Sequence, residues 1–127
     1  MSNLTSEYIL RILSENKVDF KSTHNKLSIP IINRIYKKMK HGIKFDDIKI
    51  FNNLIIDGHH RYVSSILSET ELGCVKSSKT SATIDYNWEN VEFVSEEWDT
   101  ENKIRRLNEL DAKFNNISIE KIIEIIK

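Results

Sequence analysis

The stretch IKIFNNLIIDGHHRYVSSIL, residues 48–67, decides how the middle of this chain folds. Two apolar runs, residues 48–51 and 54–56, flank Asn52-Asn53, and asparagine tolerates the positive φ of a two-residue hairpin turn. Asp57-Gly58 interrupts the pattern, and apolar side chains then recur at helical spacing: Tyr62, Val63, Ile66 and Leu67. We therefore predict a hairpin followed directly by a helix that begins within about two residues of His59.

Capping residues predict four further helices. In chain order the caps are Thr5 or Ser6, Ser28 (with Pro30 in the first turn), Asp99 or Thr100, and Ser118. The predicted inward faces are Ile9, Ile12 and Leu13; Ile31, Ile32, Ile35, Tyr36 and Met39, in a helix that ends at Gly42; Ile104, Leu107 and Phe114; and Ile119, Ile122, Ile123 and Ile126, with Ile125 pointing away. Short strands are predicted at residues 17–20 and 91–94, and the polar segment 75–83 predicts a mobile loop.

The composition is that of one globular domain. Of the 127 residues, 30% are charged and 39% are hydrophobic, which suffices for a single core. The pattern predicts an α+β fold: one compact domain, residues 1–127, in which a small mixed sheet with a hairpin packs against several helices. The sequence has neither an apolar run of about 18 residues nor a signal-peptide pattern at its start. We therefore expect a cytoplasmic protein that makes no use of a membrane.

Charge and cysteine content narrow the classes of protein further. Lys+Arg and Asp+Glu both number 19, so the formal net charge is zero. This balance disfavours nucleic-acid binding through bulk positive charge, although it allows a local basic pocket. Cys74 is the single cysteine, so the chain forms no internal disulfide and no cysteine-based zinc site.

The segment Asp57-Gly58-His59-His60-Arg61 lies where the predicted strand gives way to a helix. The first N–H groups of a helix have no partner within the helix, and together with the positive end of the helix dipole they attract anions. Gly58 allows a sharp turn and a close approach of phosphate to the backbone. Arg61 offers a planar cationic fork, the histidines offer donors that transfer protons near neutral pH, and Asp57 can orient a histidine or help to hold a divalent cation.

A turn without chemistry explains the same residues equally well. Asp-Gly is a common turn, and polar residues in the first turn of a helix are simply solvated there. Zinc is disfavoured, because adjacent residues on a helix do not face one another, so His59 and His60 would not share one metal ion. We expect His24 and His41 to lie at the surface or at the edge of the core.

The unit resembles the ParB/sulfiredoxin superfamily over residues 17–69. A helix precedes a strand, a tight turn, a second strand ending in IIDGHHRY, and another helix. The ParB branch carries a Gly-Glu-Arg-Arg-Tyr type segment, which Gly58, Arg61 and Tyr62 match. The sulfiredoxin branch carries Gly-Cys-His-Arg-Tyr, which Gly58, His60, Arg61 and Tyr62 match. DGHHR is also similar to the Asp-Gly-Gln-His-Arg segment of related proteins linked to DNA modification.

The resemblance implies a loop that binds the phosphates of a nucleotide, but the chain also departs from both branches. His59 stands where sulfiredoxins carry their cysteine, and this difference excludes sulfinic-acid repair on chemical grounds. No helix-turn-helix with a basic surface follows the unit, which disfavours a role in chromosome partitioning. Residues 98–127 are predicted to form C-terminal helices outside the resemblance.

The principal functional hypothesis is an enzyme that binds a nucleoside triphosphate with Mg²⁺ and hydrolyses it or transfers a phosphoryl group. Gly58, His59, His60 and Arg61 would bind the phosphates. His60 and Asp57 would be the catalytic residues. We assign no metal site to the side chains of the protein itself.

The sequence also predicts a lid over the site and leaves two other functions open. Lys76 and Lys79 are expected to fold over the bound anion as a lid. One alternative is a ParB-like nuclease, such as a bacterial toxin domain, that uses the same loop on a phosphodiester. The other is a non-catalytic binding protein, an antitoxin, immunity protein or regulatory subunit. The C-terminal ISIEKIIEIIK supports it by leaving apolar surface for a protein partner or for self-association.

Overall fold

Five helices and five short strands make up residues 4–127, the part of the chain that this computed structural model describes. In chain order they are α1 (Ser6–Glu15), β1 (Lys26–Ser28), α2 (Ile29–Lys40), β2 (Ile48–Phe51), β3 (Leu54–Asp57), α3 (His59–Ser68), β4 (Cys74–Lys76), β5 (Glu92–Val94), α4 (Glu101–Phe114) and α5 (Ile119–Ile126), with a 3₁₀ turn at Trp88–Asn90 before β5. The predicted α+β class is confirmed; residues 1–3 of the predicted domain lie outside the described residues. No helix between residues 4 and 127 could cross a membrane.

The predicted hairpin forms the centre of a mixed sheet. β2 pairs with β3 in antiparallel and with β4 in parallel orientation, in the order β3-β2-β4. The turn closes at Asn52, whose φ is 52°. The register shifts between Lys49 and Ile50, so that Ile50 faces Ile55 whereas Lys49 faces Asp57. The shift brings Asp57 to the end of the ladder, directly before α3.

One predicted strand was wrong and two strands, β1 and β4, were missed, whereas the strand predicted at residues 91–94 is confirmed as β5 (Glu92–Val94). Residues 17–20 form no strand; the chain instead makes single bridges from Lys21 to Leu54 and from Ser22 to Tyr86. β1 was not predicted, and it exists because β5 pairs with it in parallel. The predicted loop 75–83 loses its first residues to β4 (Cys74–Lys76). The mobility of the remaining loop stays a prediction.

The helices begin where the sequence predicts. Hydroxyls of Thr5, Ser28, Thr100 and Ser118 accept first-turn N–H groups and cap α1, α2, α4 and α5. The segment after α2 turns at Gly42, whose φ is 84°. A hydroxyl within one turn therefore accounts for each of these four starts.

The main core lies between α1, α2, α3 and the strands. Its buried members are Ile9, Leu13, Leu27, Ile32, Ile48, Ile55, Tyr62, Val63, Leu67, Trp88, Val91 and Phe93. α3 presents three of its four predicted inward residues to this core, and the fourth, Ile66, is half-buried. α3 therefore lies in the interior, and only its first turn reaches a cavity.

A second, smaller core holds the C-terminal helices against the chain after α2. Ile43, Ala112 and Ile122 are buried there, and Ile125 packs against them. The predicted orientation of Ile125 is therefore wrong. Ile123 and Phe114, which were predicted to face inward, are 44% and 61% exposed. Because five of the eight residues of α5 are isoleucine, helical periodicity fits more than one inward face, and packing on Ile43 selects Ile122 and Ile125.

Two adjacent isoleucines give a direct test of this docking. Ile122→Ala should lower the free energy of unfolding by about 2–4 kcal/mol, because Ile122 is fully buried and its loss leaves a cavity. Ile123→Ala, the matched control, should change it by less than about 0.5 kcal/mol. Urea unfolding of both variants measures the difference. Equal losses would mean that α5 docks through a different face.

Candidate functional site

The first turn of α3 has no side-chain cap. The helix begins at His59 after Gly58, whose φ is 96°, and no described side chain accepts an N–H from this turn. The first helical bond runs from the N–H of Tyr62 to the carbonyl of Gly58. In the four other helices a hydroxyl caps the corresponding turn. The first-turn N–H groups of α3 are therefore left for water or a ligand.

Gly58 is required by space as well as by conformation. A Cβ at this position would lie 2.6 Å from Cγ2 of Ile48 and 2.8 Å from Nη2 of Arg61. β2 and the guanidinium therefore approach the backbone on the side where any other residue carries its side chain. A larger residue would displace Arg61 from the start of α3.

Backbone N–H groups from the segment before α2 hold the rings of His59 and His60. The nitrogen of Thr23 lies 3.1 Å from Nε2 of His59, and the nitrogen of Ser28 lies 3.0 Å from Nε2 of His60. A backbone N–H only donates, so both Nε2 atoms must accept. In each neutral ring the proton is therefore on Nδ1, which remains as a donor.

Both rings are neutral near pH 7. Burial, followed by the charges of His24 and His60, lowers the pKa of His59 from 6.5 to about 3. Burial and the charge of His24 lower the pKa of His60 to about 4, although Asp99 acts in the opposite direction. His60, predicted to transfer a proton, thus has one nitrogen occupied and the other protonated. It is suited to donate a hydrogen bond through Nδ1.

His24 belongs to the site, which the sequence did not indicate. It is exposed, as predicted, but its ring stacks on that of His59 with centroids 3.8 Å apart. His41 is also exposed, and its Nδ1 contacts the carbonyl oxygen of Lys37 at 2.8 Å. No local pattern distinguishes His24 from His41, because the stacking depends on the tertiary path of the chain.

Arg61 differs from the other cations near the site. Its Nη2 donates to the carbonyl oxygen of Asp47 at 3.2 Å, and no described carboxylate lies within 4.0 Å of it. The neighbouring cations are paired: Arg34 with Glu97 and Asp99, Lys38 with Asp111, and Lys103 with Asp99. Arg61 therefore has positive charge available for an anion.

Two buried donors in this turn have no partner. Within residues 4–127, Nδ1 of His59 and Nε of Arg61 are the only buried side-chain polar atoms without a hydrogen bond. An unpaired buried donor costs about 1–3 kcal/mol. Both atoms lie in the same helical turn, beside N–H groups that are also free. This arrangement is suited to an acceptor-rich anion.

A cavity of about 420 Å³ opens at this turn. All five residues of the DGHHR segment line it, and His24 does so too. The structure therefore brings together every residue that we predicted to bind or react, namely Asp57, Gly58, His59, His60 and Arg61.

The two lysines predicted as a lid lie elsewhere. Lys76 belongs to β4, where it pairs with Ile50. The ammonium group of Lys79 lies over the ring of Phe51, 5.6 Å from its centroid. Both residues therefore cover the hairpin in this structure, and neither lines the cavity.

The segment between β5 and α4 forms one rim of the cavity. The guanidinium of Arg34 binds the carboxylate of Glu97 and lowers its pKa, and the hydroxyl of Ser28 donates to the carbonyl of Glu96 at 2.8 Å. These contacts hold the ring of Trp98 edge-on to His60, with centroids 5.5 Å apart. Trp98 and Arg34 were not predicted as site residues.

The described side chains do not group into a metal site of their own. No group of three or more His, Cys, Asp or Glu residues in the described chain could hold a metal ion. Mg²⁺ commonly takes one or two protein carboxylates and completes its shell with phosphates and water. Asp57, exposed at the strand end and lining the cavity, fits that limited role.

Comparison with known proteins gave no match: no family model, no curated protein and no solved structure matches the chain. The similarity to the ParB/sulfiredoxin superfamily therefore stays a prediction based on the DGHHR segment.

The two histidines should make the fold sensitive to acid. Their pKa values are lower in the folded chain than the ordinary 6.5, so the unfolded chain binds more protons below that pH. The resulting stability is present above pH 6.5 and is lost as the pH falls toward about 4. Each histidine should contribute a slope of up to about 1.4 kcal/mol per pH unit in that window.

The variant His59→Gln/His60→Gln tests this slope. Glutamine can place an acceptor near the position of each Nε2 but does not titrate. Urea unfolding between pH 4 and pH 7 should therefore show a flatter dependence in the double variant than in the natural chain. The same slope in both proteins would contradict the buried, neutral state of the two rings.

Proposed function

We propose that the protein binds a phosphate-bearing ligand, in the first instance a nucleoside triphosphate, at the first turn of α3. One observation carries this proposal: the unpaired donors Nδ1 of His59 and Nε of Arg61 lie beside an uncapped helix start. A small shift of either side chain toward an oxygen of the ligand would satisfy its donor and remove the cost of burying it.

The arrangement suits phosphate better than a smaller acceptor. A phosphate group carries three strongly accepting oxygens and up to two negative charges. Backbone N–H groups at a helix start, two imidazole donors and a guanidinium can approach such a group from several directions. The unpaired positive charge of Arg61 adds an electrostatic preference for a dianion.

Catalysis of phosphoryl transfer at this site would depend on the positioning of the nucleotide and on charge. Phosphoryl transfer requires little acid–base chemistry from a protein, and oriented donors with a bound cation carry most of it. Because Nε2 of His60 is engaged by Ser28, we assign His60 to phosphate binding and not to proton transfer. Asp57 remains as the carboxylate that would hold Mg²⁺ or orient a water molecule. The resemblance to a nucleotide-binding superfamily supports the same ligand.

A binding protein without turnover is the second candidate. Both histidines use one ring nitrogen to hold the segment before α2, which is a structural use of groups that an enzyme would keep for catalysis. The nuclease alternative has less support, because Trp98 and the segment around it form a rim where a polynucleotide would need an open groove. With either candidate, a nucleotide ligand and an exposed free thiol at Cys74 fit a cytoplasmic protein.

Arg61 provides the test of phosphate binding. Arg61→Ala should weaken binding of a nucleoside triphosphate about tenfold to a hundredfold, because it removes a charge-assisted bidentate contact worth about 1.5–3 kcal/mol. Arg61→Lys should recover only part of the affinity, since an ammonium cannot reproduce the planar fork. Calorimetric titration with ATP, CTP and GTP in the presence of Mg²⁺ measures each value.

The matched control is Arg106→Ala, which removes an exposed cation of α4 that does not line the cavity. It should leave both the affinity and the free energy of unfolding nearly unchanged. If Arg61→Ala binds nucleotides as tightly as the natural chain, the phosphate site is not at α3. A preceding thermal-shift screen identifies usable ligands, because a ligand at 100 times its Kd adds about 2.7 kcal/mol of stability.

A further inference from the structure

The cavity extends well beyond the first turn of α3. Its volume of about 420 Å³ falls in the range of small-molecule sites, about 300–1,000 Å³, and a phosphate group at one end would leave most of it open. The other walls combine the paired charges of Arg34, Asp99 and Lys103 with an apolar part from α2, α4 and the segment between α2 and β2. The apolar side chains are Ile31, Ile35, Phe45, Ile104 and Leu107. A second part of the ligand therefore has to match an apolar surface.

A buried polar cluster interrupts this apolar wall. Nζ of Lys38 donates to Oδ1 of Asn108 at 2.8 Å and to Oδ2 of Asp111 at 2.6 Å. Lys38 and Asn108 are 4% and 5% exposed. Because an ammonium group only donates, Asn108 must turn its oxygen toward Lys38 and its amide nitrogen away.

The amide nitrogen of Asn108 has no partner within the part of the chain that the structure describes and is not among the buried unpaired atoms, so it is accessible from the cavity. No hydrogen bond from Nδ2 to another described residue is present, and Asn108 lines the cavity. Asp111 also lines the cavity, and only its Oδ2 is engaged by Lys38. The two residues are three apart on α4 and share one face, so the donor of one and the free acceptor of the other can face the same ligand.

A donor beside an acceptor, between apolar walls, selects for a flat heteroaromatic ring. The edge of a nucleobase carries neighbouring acceptor and donor groups, and its faces are apolar enough to lie against isoleucine and leucine. An alkyl chain would leave both polar atoms unpaired, and a sugar would place hydroxyl groups against Ile104 and Leu107. Among phosphate-bearing ligands, a nucleotide is therefore the best match to both parts of the cavity.

We propose that this part of the cavity is a base-recognition site, in which Nδ2 of Asn108 and Oδ1 of Asp111 bind the edge of a nucleobase. The inference rests on the proposed function, because it places the phosphates of the same ligand at Arg61. Lys38 orients Asn108 and is a positioning residue, since its ammonium group is engaged by both neighbours.

The experiment compares nucleoside triphosphates with inorganic tripolyphosphate, which has the charge but no base. Calorimetric titration of the natural chain should show tighter binding of at least one nucleotide than of tripolyphosphate. Asn108→Ala should weaken that nucleotide about threefold to tenfold, as expected for one lost hydrogen bond, and should change tripolyphosphate binding less than about twofold. Glu109→Ala, an exposed neighbour on α4, is the control and should change neither.

Leu107→Phe keeps the test decisive if Asn108→Ala does not fold. The larger side chain fills the apolar part of the cavity, so it should weaken nucleotides and spare tripolyphosphate. Tripolyphosphate binding that depends on Arg61, with no gain from a base and no effect of either variant, would overturn the base site and leave the phosphate site standing. If the natural chain binds neither nucleotides nor tripolyphosphate, both the phosphate site and the base site are overturned. An alkyl phosphate is titrated as a third ligand, and tighter binding of it than of any nucleotide would overturn the base site.

Discussion

Two hydrogen bonds from backbone N–H groups to imidazole nitrogens organise the centre of this protein. The N–H groups of Thr23 and Ser28 donate to His59 and His60, and they join the segment before α2 to the start of α3. Because the backbone groups can only donate, they also determine which nitrogen of each ring carries the proton. The same two contacts therefore join the segment before α2 to α3 and make Nδ1 the donor of each ring. Replacing either ring by an apolar residue would leave a backbone N–H of the preceding segment without its acceptor.

Among the cavity-lining cations in residues 4–127, only Arg61 has no carboxylate partner. Arg34, Lys38 and Lys103 are each engaged by carboxylates, which fixes α2, α4 and the segment between β5 and α4 relative to one another. A buried ion pair such as Lys38–Asp111 contributes little net stability, but removing one partner leaves an uncompensated charge. These pairs fix the positions of α2, α4 and the segment between β5 and α4, whereas Arg61 supplies positive charge that attracts an anionic ligand. A formal net charge of zero is thus compatible with one strongly cationic position.

Much of the fold and the core of the site could be predicted from the sequence, because both depend on local signals. The hairpin turn at Asn52, the capped helix starts and the onset of α3 after Gly58 each follow from residues within one turn of the feature. β1 could not be predicted, since it exists only by pairing with β5. The inward face of α5 was predicted incorrectly because its isoleucines satisfy several faces. The DGHHR residues were found from their spacing, whereas His24, Trp98 and Asn108 join the cavity through contacts that no local pattern records.

Ser28 connects more of the molecule than any of these predictions anticipated. Its hydroxyl caps α2 and donates to the carbonyl of Glu96, its N–H holds His60, and its backbone pairs with Val94 in the two-stranded sheet. The residue is fully buried, so none of these contacts can exchange readily with water. A displacement of His60 would therefore be transmitted through Ser28 to the segment that carries Trp98, and a displacement of that segment would be transmitted to His60. Such coupling is reciprocal by thermodynamic necessity. A ligand that displaced His60 would therefore also shift the cavity rim at Trp98, and a single serine would transmit the displacement.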